Sequence, residues 1–184
     1  PSDFSAKRCM VNAQLIAMEF HGMLPVHDRP EATEGYEGFS HLCAMQGEVE
    51  LATLEYIIRD HDRASFEARK ALFESAAAFL NAKYGAGTVE VALRDSYYNM
   101  REKIEPHMAI VEAAQQAMRD AGVTPRVVPI RGGTDGARLS YEGLPCPNLF
   151  TGGENYHGRF EYVPVEDMEA AVRTLKCILR NAAK

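Results

Sequence analysis

Apolar residues recur at three- and four-residue steps early in the chain, at Met10, Ala13, Ala17, Phe20 and Leu24. That period predicts a helix from Ala6 to Leu24, with Ser5 as its cap. Pro25 to Gly38 is polar, carries Pro30 and Gly35, and reads as a loop. The pattern then predicts two strands, Phe39–Met45 and Val49–Arg59, joined by a tight turn at Gln46-Gly47. Phe66, Phe73, Ala77, Leu80 and Tyr84 mark one face of a helix from about Arg63 to Tyr84, which Gly85 and Gly87 end. Thr88 to Ser96 alternates through Val89, Val91 and Leu93 and predicts a strand.

The predicted order of helix, strand, strand, helix, strand is that of a split βαβ, ferredoxin-like βαββαβ unit lacking its first strand. That strand lies inside such a sheet, so the natural protein is expected to extend upstream of Pro1. Past Tyr97-Tyr98-Asn99 helices and strands alternate. Pro106 opens a helix with Ile110, Ala114, Ala117, Met118 and Ala121 inward, and Gly122 stops it. Arg126–Ile130 and Asn148–Thr151 read as short strands, with a helix at Asp135–Tyr141 between them. A last helix, Val165 to Arg180, opens at Pro164 and is expected to bury Val165, Met168, Val172, Leu175 and Leu179. The fold class is therefore α/β: an α+β domain over residues 1–100, then part of an α/β sandwich over residues 101–184, with the boundary near residues 98–104.

Composition narrows the functions. The 184 residues are 46% hydrophobic and 25% charged, as in a soluble globular chain. A net charge of −6 disfavours a broad nucleic-acid surface, and the two predicted strands lack the aromatic pattern of RNA-binding sheets. The basic stretch Arg59 to Lys70 is broken by Asp60, Asp62 and Glu67 and reads as a solvated helix face. Asp60, His61 and Asp62 read as strand end and helix cap. No apolar run is long enough to span a bilayer. Cys9, Cys43, Cys146 and Cys177 are scattered, as suits reduced thiols of a cytoplasmic protein.

Two glycine-rich turns carry the candidate chemistry. The first is Arg131-Gly-Gly-Thr-Asp-Gly136 and the second Gly152-Gly-Glu-Asn-Tyr-His157. Each follows a predicted strand, where ligands bind in open α/β sheets. Arg131 offers a planar fork of donors for a carboxylate, and Gly132 and Gly133 expose backbone N–H groups. The bland alternative is a glycine turn capped by Thr134 or Asp135, with Arg131 in a surface ion pair. His157 is a candidate metal ligand or proton carrier, against the alternative of a solvated loop histidine.

The stretches Ile130-Arg-Gly-Gly-Thr-Asp-Gly-Ala-Arg-Leu-Ser140, Gly143-Leu-Pro-Cys-Pro-Asn-Leu-Phe-Thr-Gly-Gly153 and Asn155-Tyr-His-Gly-Arg-Phe-Glu161 resemble the two-zinc aminopeptidase, carboxypeptidase and desuccinylase family, in its tripeptide-cleaving branch. Met10-Val-Asn-Ala13, Thr33-Glu-Gly-Tyr-Glu-Gly38, Tyr56-Ile-Ile-Arg-Asp60 and Asp95-Ser-Tyr-Tyr-Asn-Met-Arg-Glu-Lys103 extend the resemblance over nearly the whole chain. It implies a ferredoxin-like lid, often the surface of a homodimer, followed by the C-terminal part of a zinc-peptidase α/β/α domain. It assigns His157 as the last zinc ligand, in a His-x-x-x-Glu pattern with Glu161. Arg131, Gly132, Gly133, Thr134 and Asp135 would hold the far end of a short peptide. Arg59 would reach the substrate from the lid, and Asn99 is a candidate for the same cleft. Glu154 and Phe160 depart from the family pattern beside His157.

The resemblance also implies what is elsewhere. The other ligands of the zinc pair and the general-base Glu belong upstream of the lid, so no catalytic residue is assigned in these 184 residues. Two readings follow: part of a zinc-dependent aminotripeptidase, inactive without its upstream half, or a non-catalytic truncated homologue or dimerisation module. The expected partners are tripeptides, the upstream half and a second lid, with neither nucleic acid nor membrane.

Overall fold

The Asn12 side chain accepts a hydrogen bond of 2.9 Å from the Gln14 N–H and caps α1 (Ala13–Met23). The computed structural model of the chain describes residues 10–183. The expected start at Ala6 with its Ser5 cap therefore lies outside the described residues, but Met10–Asn12 is not helical. The helix begins where Asn12 can satisfy its first amides. A second amide, that of Ala13, is taken by the Val49 carbonyl at 2.8 Å. The chain forms two compact units, Pro1–Ser96 and Tyr97–Lys184.

In the first unit β1 (Phe39–Gly47) and β2 (Ala52–Arg59) pair antiparallel, from Phe39 opposite Arg59 to Gly47 opposite Ala52. The connection is Glu48–Leu51, closed by the Glu48 N–H on the Leu51 carbonyl at 2.7 Å. This corrects the expected turn at Gln46-Gly47, both of which lie within β1. A Cβ on Gly47 would sit 2.7 Å from that of Ala52, so glycine here serves close strand approach. Leu42 faces Tyr56 and Ala44 faces Glu55, which leaves Cys43 as a bulge.

α2 (Arg63–Tyr84) runs between the expected ends. Asp62 caps it through the Ser65 N–H at 2.8 Å, and that bond holds the Asp62 carboxyl below its ordinary range. Gly85, at φ +118°, ends it. The core joins Ile16, Phe20 and Leu24 of α1 and its C-terminal flank to Phe73, Ala76, Ala77 and Leu80 of α2. Tyr56 of β2 meets Phe73 edge-on at 5.0 Å, and Phe20 meets Phe73 at 5.9 Å. Tyr56 also bonds His21 Nδ1 at 2.8 Å, while His21 Nε2 lies 3.2 Å from Arg29 Nη2. A guanidinium only donates, so Nε2 accepts and Nδ1–H donates to the phenol oxygen.

Two expectations for this unit are corrected. Thr88–Ser96 is not a strand. An extended segment becomes a strand only when a neighbour pairs with its backbone, and Val89 instead bonds both ways to the Asn81 carboxamide, at 2.8 and 2.9 Å. The basic stretch is not merely a solvated face either. Arg69 binds both Asp28 and Asp60, the latter at 2.9 Å. The Asp60 side chain is 6% exposed, and a Cβ on Gly38 would strike its carboxylate.

The second unit opens with α3 (Arg101–Ile104) and a 3₁₀ turn, Glu105–His107, holding Pro106. α4 (Met108–Asp120) follows and ends at Gly122 in a Schellman arrangement, with Val123 N–H on the Met118 carbonyl at 2.8 Å. Pro106 thus precedes α4 instead of opening it. α5 (Asp135–Tyr141) and α6 (Val165–Ala182) complete the helices. α4 packs on α6 through Ala117, Ala170 and Thr174, and Asn181 donates to Asp120 at 2.9 Å.

The face expected to be buried on α6 is exposed: Val165 61%, Met168 47%, Val172 49%, Leu175 49% and Leu179 70%. α6 turns its small residues to α4, and among the described residues nothing covers the large ones. Arg126–Ile130 and Asn148–Thr151 are likewise not strands, because no neighbour pairs with them. The fold class is mixed α/β, with one two-stranded sheet among the described residues. No described helix is long and apolar enough to cross a membrane.

Burial pushes the Tyr56 phenol up to about 12, against a smaller opposing pull from Arg29. The folded state therefore favours the neutral phenol over the phenolate. Its contribution is complete below about pH 10, the unfolded value, and is lost as pH rises through the folded value. Urea midpoints measured across this alkaline window are expected to fall more steeply for the native chain than for Tyr56→Phe. Parallel curves would contradict the assignment.

Candidate functional site

Three close approaches shape the first glycine turn. A Cβ on Gly133 would lie 2.0 Å from the Tyr97 hydroxyl oxygen, and one on Gly136 would lie 2.5 Å from the Cys146 carbonyl oxygen and 3.0 Å from Asn148 Oδ1. No side chain fits at either position. Thr134 caps α5, its hydroxyl accepting from the Ala137 N–H at 3.3 Å and from Asn148 Nδ2 at 3.2 Å. Ser140 then ties the returning chain, donating to the Gly136 carbonyl at 2.7 Å and accepting from the Cys146 N–H at 3.0 Å. The turn is thus fixed from both sides. A cavity of about 640 Å³ opens on it, lined by Tyr97, Gly133, Thr134, Asp135, Gly136, Arg138 and Asn148.

The second turn is built on the same principle. Gly152, at φ +80°, lies so near α6 that a Cβ would come 2.2 Å from that of Asp167. Gly153 has no room for a Cβ beside the Tyr156 ring, whose hydroxyl bonds Thr151 at 2.9 Å. Glu154 and Tyr162 pair as an antiparallel bridge at 2.9 and 3.2 Å and pinch off a loop between them. Within it Asn155 (φ 54°) and His157 (φ 64°) take left-handed backbone. Histidine there is strained by about 1–3 kcal/mol. The strain is held by the Glu161 carboxylate, which accepts the His157 backbone N–H at 2.8 Å.

Six of the eight expected site residues, from Asn99 to Asp135 and excluding Arg59 and His157, divide into two groups. Gly133, Thr134 and Asp135 line the cavity. Arg131 is half-buried at the start of that turn, with Gly132 exposed beside it. Asn99 lies just ahead of α3, its Oδ1 accepting from the Arg101 N–H at 3.0 Å, and its carbonyl accepts from the Tyr141 hydroxyl. Arg59 belongs to the first unit, as the last residue of β2, and is half-buried. His157 is exposed on its strained turn. Tyr97, Arg138 and Asn148 also line the cavity without having been expected there. All three lie inside the motifs Asp95–Lys103, Ile130–Ser140 and Gly143–Gly153, which was the available signal.

A zinc centre needs three or four donor side chains around one point. Among the described residues no group of three or more His, Cys, Asp or Glu side chains can hold a metal ion. Glu161 is engaged by the His157 backbone, which leaves His157 as a single donor. The described residues by themselves do not fit a metal centre.

Residues 10–181 match the Peptidase family M20/M25/M40. The chain belongs to this family. Relatives named Peptidase T from Shouchella clausii and from Clostridium perfringens (strain SM101) are 58% and 57% identical to it over 180 residues. The matched stretch is 98% of this chain and 44% of each relative, so the chain spans less than half their length. A crystal structure of a tripeptidase from Staphylococcus aureus superposes with a TM-score of 0.72 at 21% identity, over 97% of this chain and 48% of that one. That likeness shows the fold alone.

The strain at His157 is testable within this M20/M25/M40 chain. Glycine adopts left-handed backbone freely, so His157→Gly is expected to raise the unfolding free energy by up to about 1 kcal/mol. A urea midpoint below that of the native chain would show that the imidazole contributes contacts outweighing the strain.

Proposed function

We propose that this chain is the C-terminal part of a zinc-dependent aminotripeptidase, which removes the N-terminal residue from tripeptides in the cytoplasm. One observation carries the reading: identity of 54–58% to relatives named Peptidase T over 98% of the chain. The first unit is then a lid and the second a part of the catalytic domain. Arg131 and the turn to Asp135 hold the far end of the peptide, and Arg59 of the lid also binds substrate. Asn99 serves that cleft from the turn just ahead of α3. His157 contributes one metal ligand, and the remaining ligands come from the portion this chain does not span.

The physical support lies in what the second unit leaves open. The α6 stripe Val165, Met168, Val172, Leu175 and Leu179 is a continuous apolar face, and Val127, Val128 and Ile130 expose a second one at 74%, 59% and 46%. Contiguous apolar surface of this kind marks an interaction site. Its proposed occupant is the upstream half of the same protein. Joined to that half, the protein is expected to cleave tripeptides, to lose activity on chelation and to regain it with zinc. His157→Ala should lower kcat/KM at least about a hundredfold, since even partners of a ligand cost 10–100-fold. The 184-residue chain alone should show no turnover. Turnover by the isolated chain, or an unaffected His157→Ala enzyme, would refute the assignment.

A second reading, a dimerisation module, is favoured by the sheet. β1 pairs with β2 alone, so among the described residues each strand keeps one edge without a partner strand. Such edges recruit another strand or are blocked. Light scattering of the complete protein is expected to give a dimer. Lysine at outward positions of one edge strand, His41 and Ala44, which pair with the exposed Ile57 and Glu55, should shift it toward monomer, and a native monomer would exclude this role.

A further inference from the structure

Gly133 is not in the left-handed backbone region, unlike Gly122, Gly143 and Gly152. Its conformation would suit any residue. What excludes a side chain is space alone: a Cβ would lie 2.0 Å from the Tyr97 hydroxyl oxygen, 2.4 Å from Cζ and 2.8 Å from Cε1. The phenol therefore lies directly on the turn, and glycine at 133 is the seat of the Tyr97 ring. This joins two motifs distant in sequence, Asp95–Lys103 and Ile130–Ser140, in one wall of the cavity.

The hydroxyl at the tip of that ring is unused. Among the described residues Tyr97 makes no hydrogen bond, and the residue is 37% exposed at the cavity. A tyrosine seated against protein usually finds a partner for its hydroxyl. The other polar groups of the cavity are more constrained. The Thr134 hydroxyl already accepts two hydrogen bonds, and Arg138 is paired with Glu142 at 3.0 Å. The cavity thus offers the Tyr97 O–H, a neutral donor whose oxygen makes no other hydrogen bond, held over exposed backbone at Gly132–Gly133, beside the Thr134 O–H and the second Asn148 N–H. Asp135, also on the cavity, supplies an acceptor.

We infer that Tyr97 is a substrate-binding residue, seated on Gly133, whose hydroxyl donates a hydrogen bond to a main-chain carbonyl or carboxylate oxygen of the bound peptide. A carbonyl oxygen suits a neutral donor, and the Asp135 carboxylate can take an N–H of the same ligand, so the pocket's chemistry is that of a peptide backbone. This deepens the proposed peptidase reading and rests on it. The seat explains the fixed geometry: Gly133 lets the phenol end of the ring rest against the turn, so the hydroxyl needs little ordering when peptide arrives.

The test uses the complete protein with a tripeptide substrate. Tyr97→Phe keeps the ring on Gly133 and removes only the donor. It should raise KM about 5–10-fold, the value of one hydrogen bond, with kcat within about twofold and the melting temperature unchanged. Gly133→Ala unseats the ring and should raise KM at least as much, and adding Tyr97→Phe to it should give little further loss. If the native enzyme cleaves tripeptide but Tyr97→Phe leaves KM unchanged, the Tyr97 role is overturned while the peptidase reading stands. If the native protein neither cleaves nor binds tripeptide by calorimetry, both are overturned.

Discussion

Chain must approach chain more closely than a side chain allows at residues 133, 136 and 152, and the second unit is organised around that constraint. A Cβ at these positions would strike the Tyr97 ring, the Cys146 carbonyl and Asp167. The first two fix the wall of the cavity, and the third docks the His157 turn against α6. Glycine has a general cost in conformational entropy. Here it is offset by bonds that only the close approach permits, notably Ser140 between Gly136 and Cys146 and Asn148 on Thr134.

What was legible in the sequence follows the range of the forces involved. The bounds of α2 were readable because its signals are local: Asp62 caps three residues ahead, and Gly85 ends the helix by its own backbone. The α5 span was readable for the same reason, through Thr134. The start of α1 was not, because Asn12 is a weaker-looking signal than the apolar run that continues through it. Thr88–Ser96, Arg126–Ile130 and Asn148–Thr151 carry strand-like alternation or apolar runs, yet pairing depends on a neighbour that no local pattern reveals. The Asp28–Arg69–Asp60 pairing escaped notice because its members meet only in the fold.

The α6 stripe is the most informative failure. Its period was read correctly, and the helix starts at the expected Val165 and runs past the expected Arg180 to Ala182, but its large residues face outward while Ala170 and Thr174 face α4. A helix with a sharply apolar face is stabilised by burying that face. That it buries the opposite one here means that α4 is not the partner for which the stripe is patterned. The unpaired extended segments make the same statement in the language of hydrogen bonds, since their backbone groups also require partners. Both observations mark apolar side chains and backbone groups that the described residues leave without protein partners.

The His157 turn shows how such a surface can still carry chemistry. Its backbone is held in a costly conformation by the Glu154–Tyr162 bridge and the Glu161 carboxylate, all within nine residues of one another. A solvated loop histidine has no need of that arrangement, because relaxation to ordinary backbone would release the strain. Strain that persists implies surroundings that over-determine it, and here those surroundings are local. The imidazole is therefore presented by its own loop, independently of the surface that the stripe leaves open. The position of His157 is set within its own loop, and the cavity on Gly133 is set by Tyr97. The two glycine turns are thus pre-organised separately, one around the His157 backbone and the other around the Tyr97 ring.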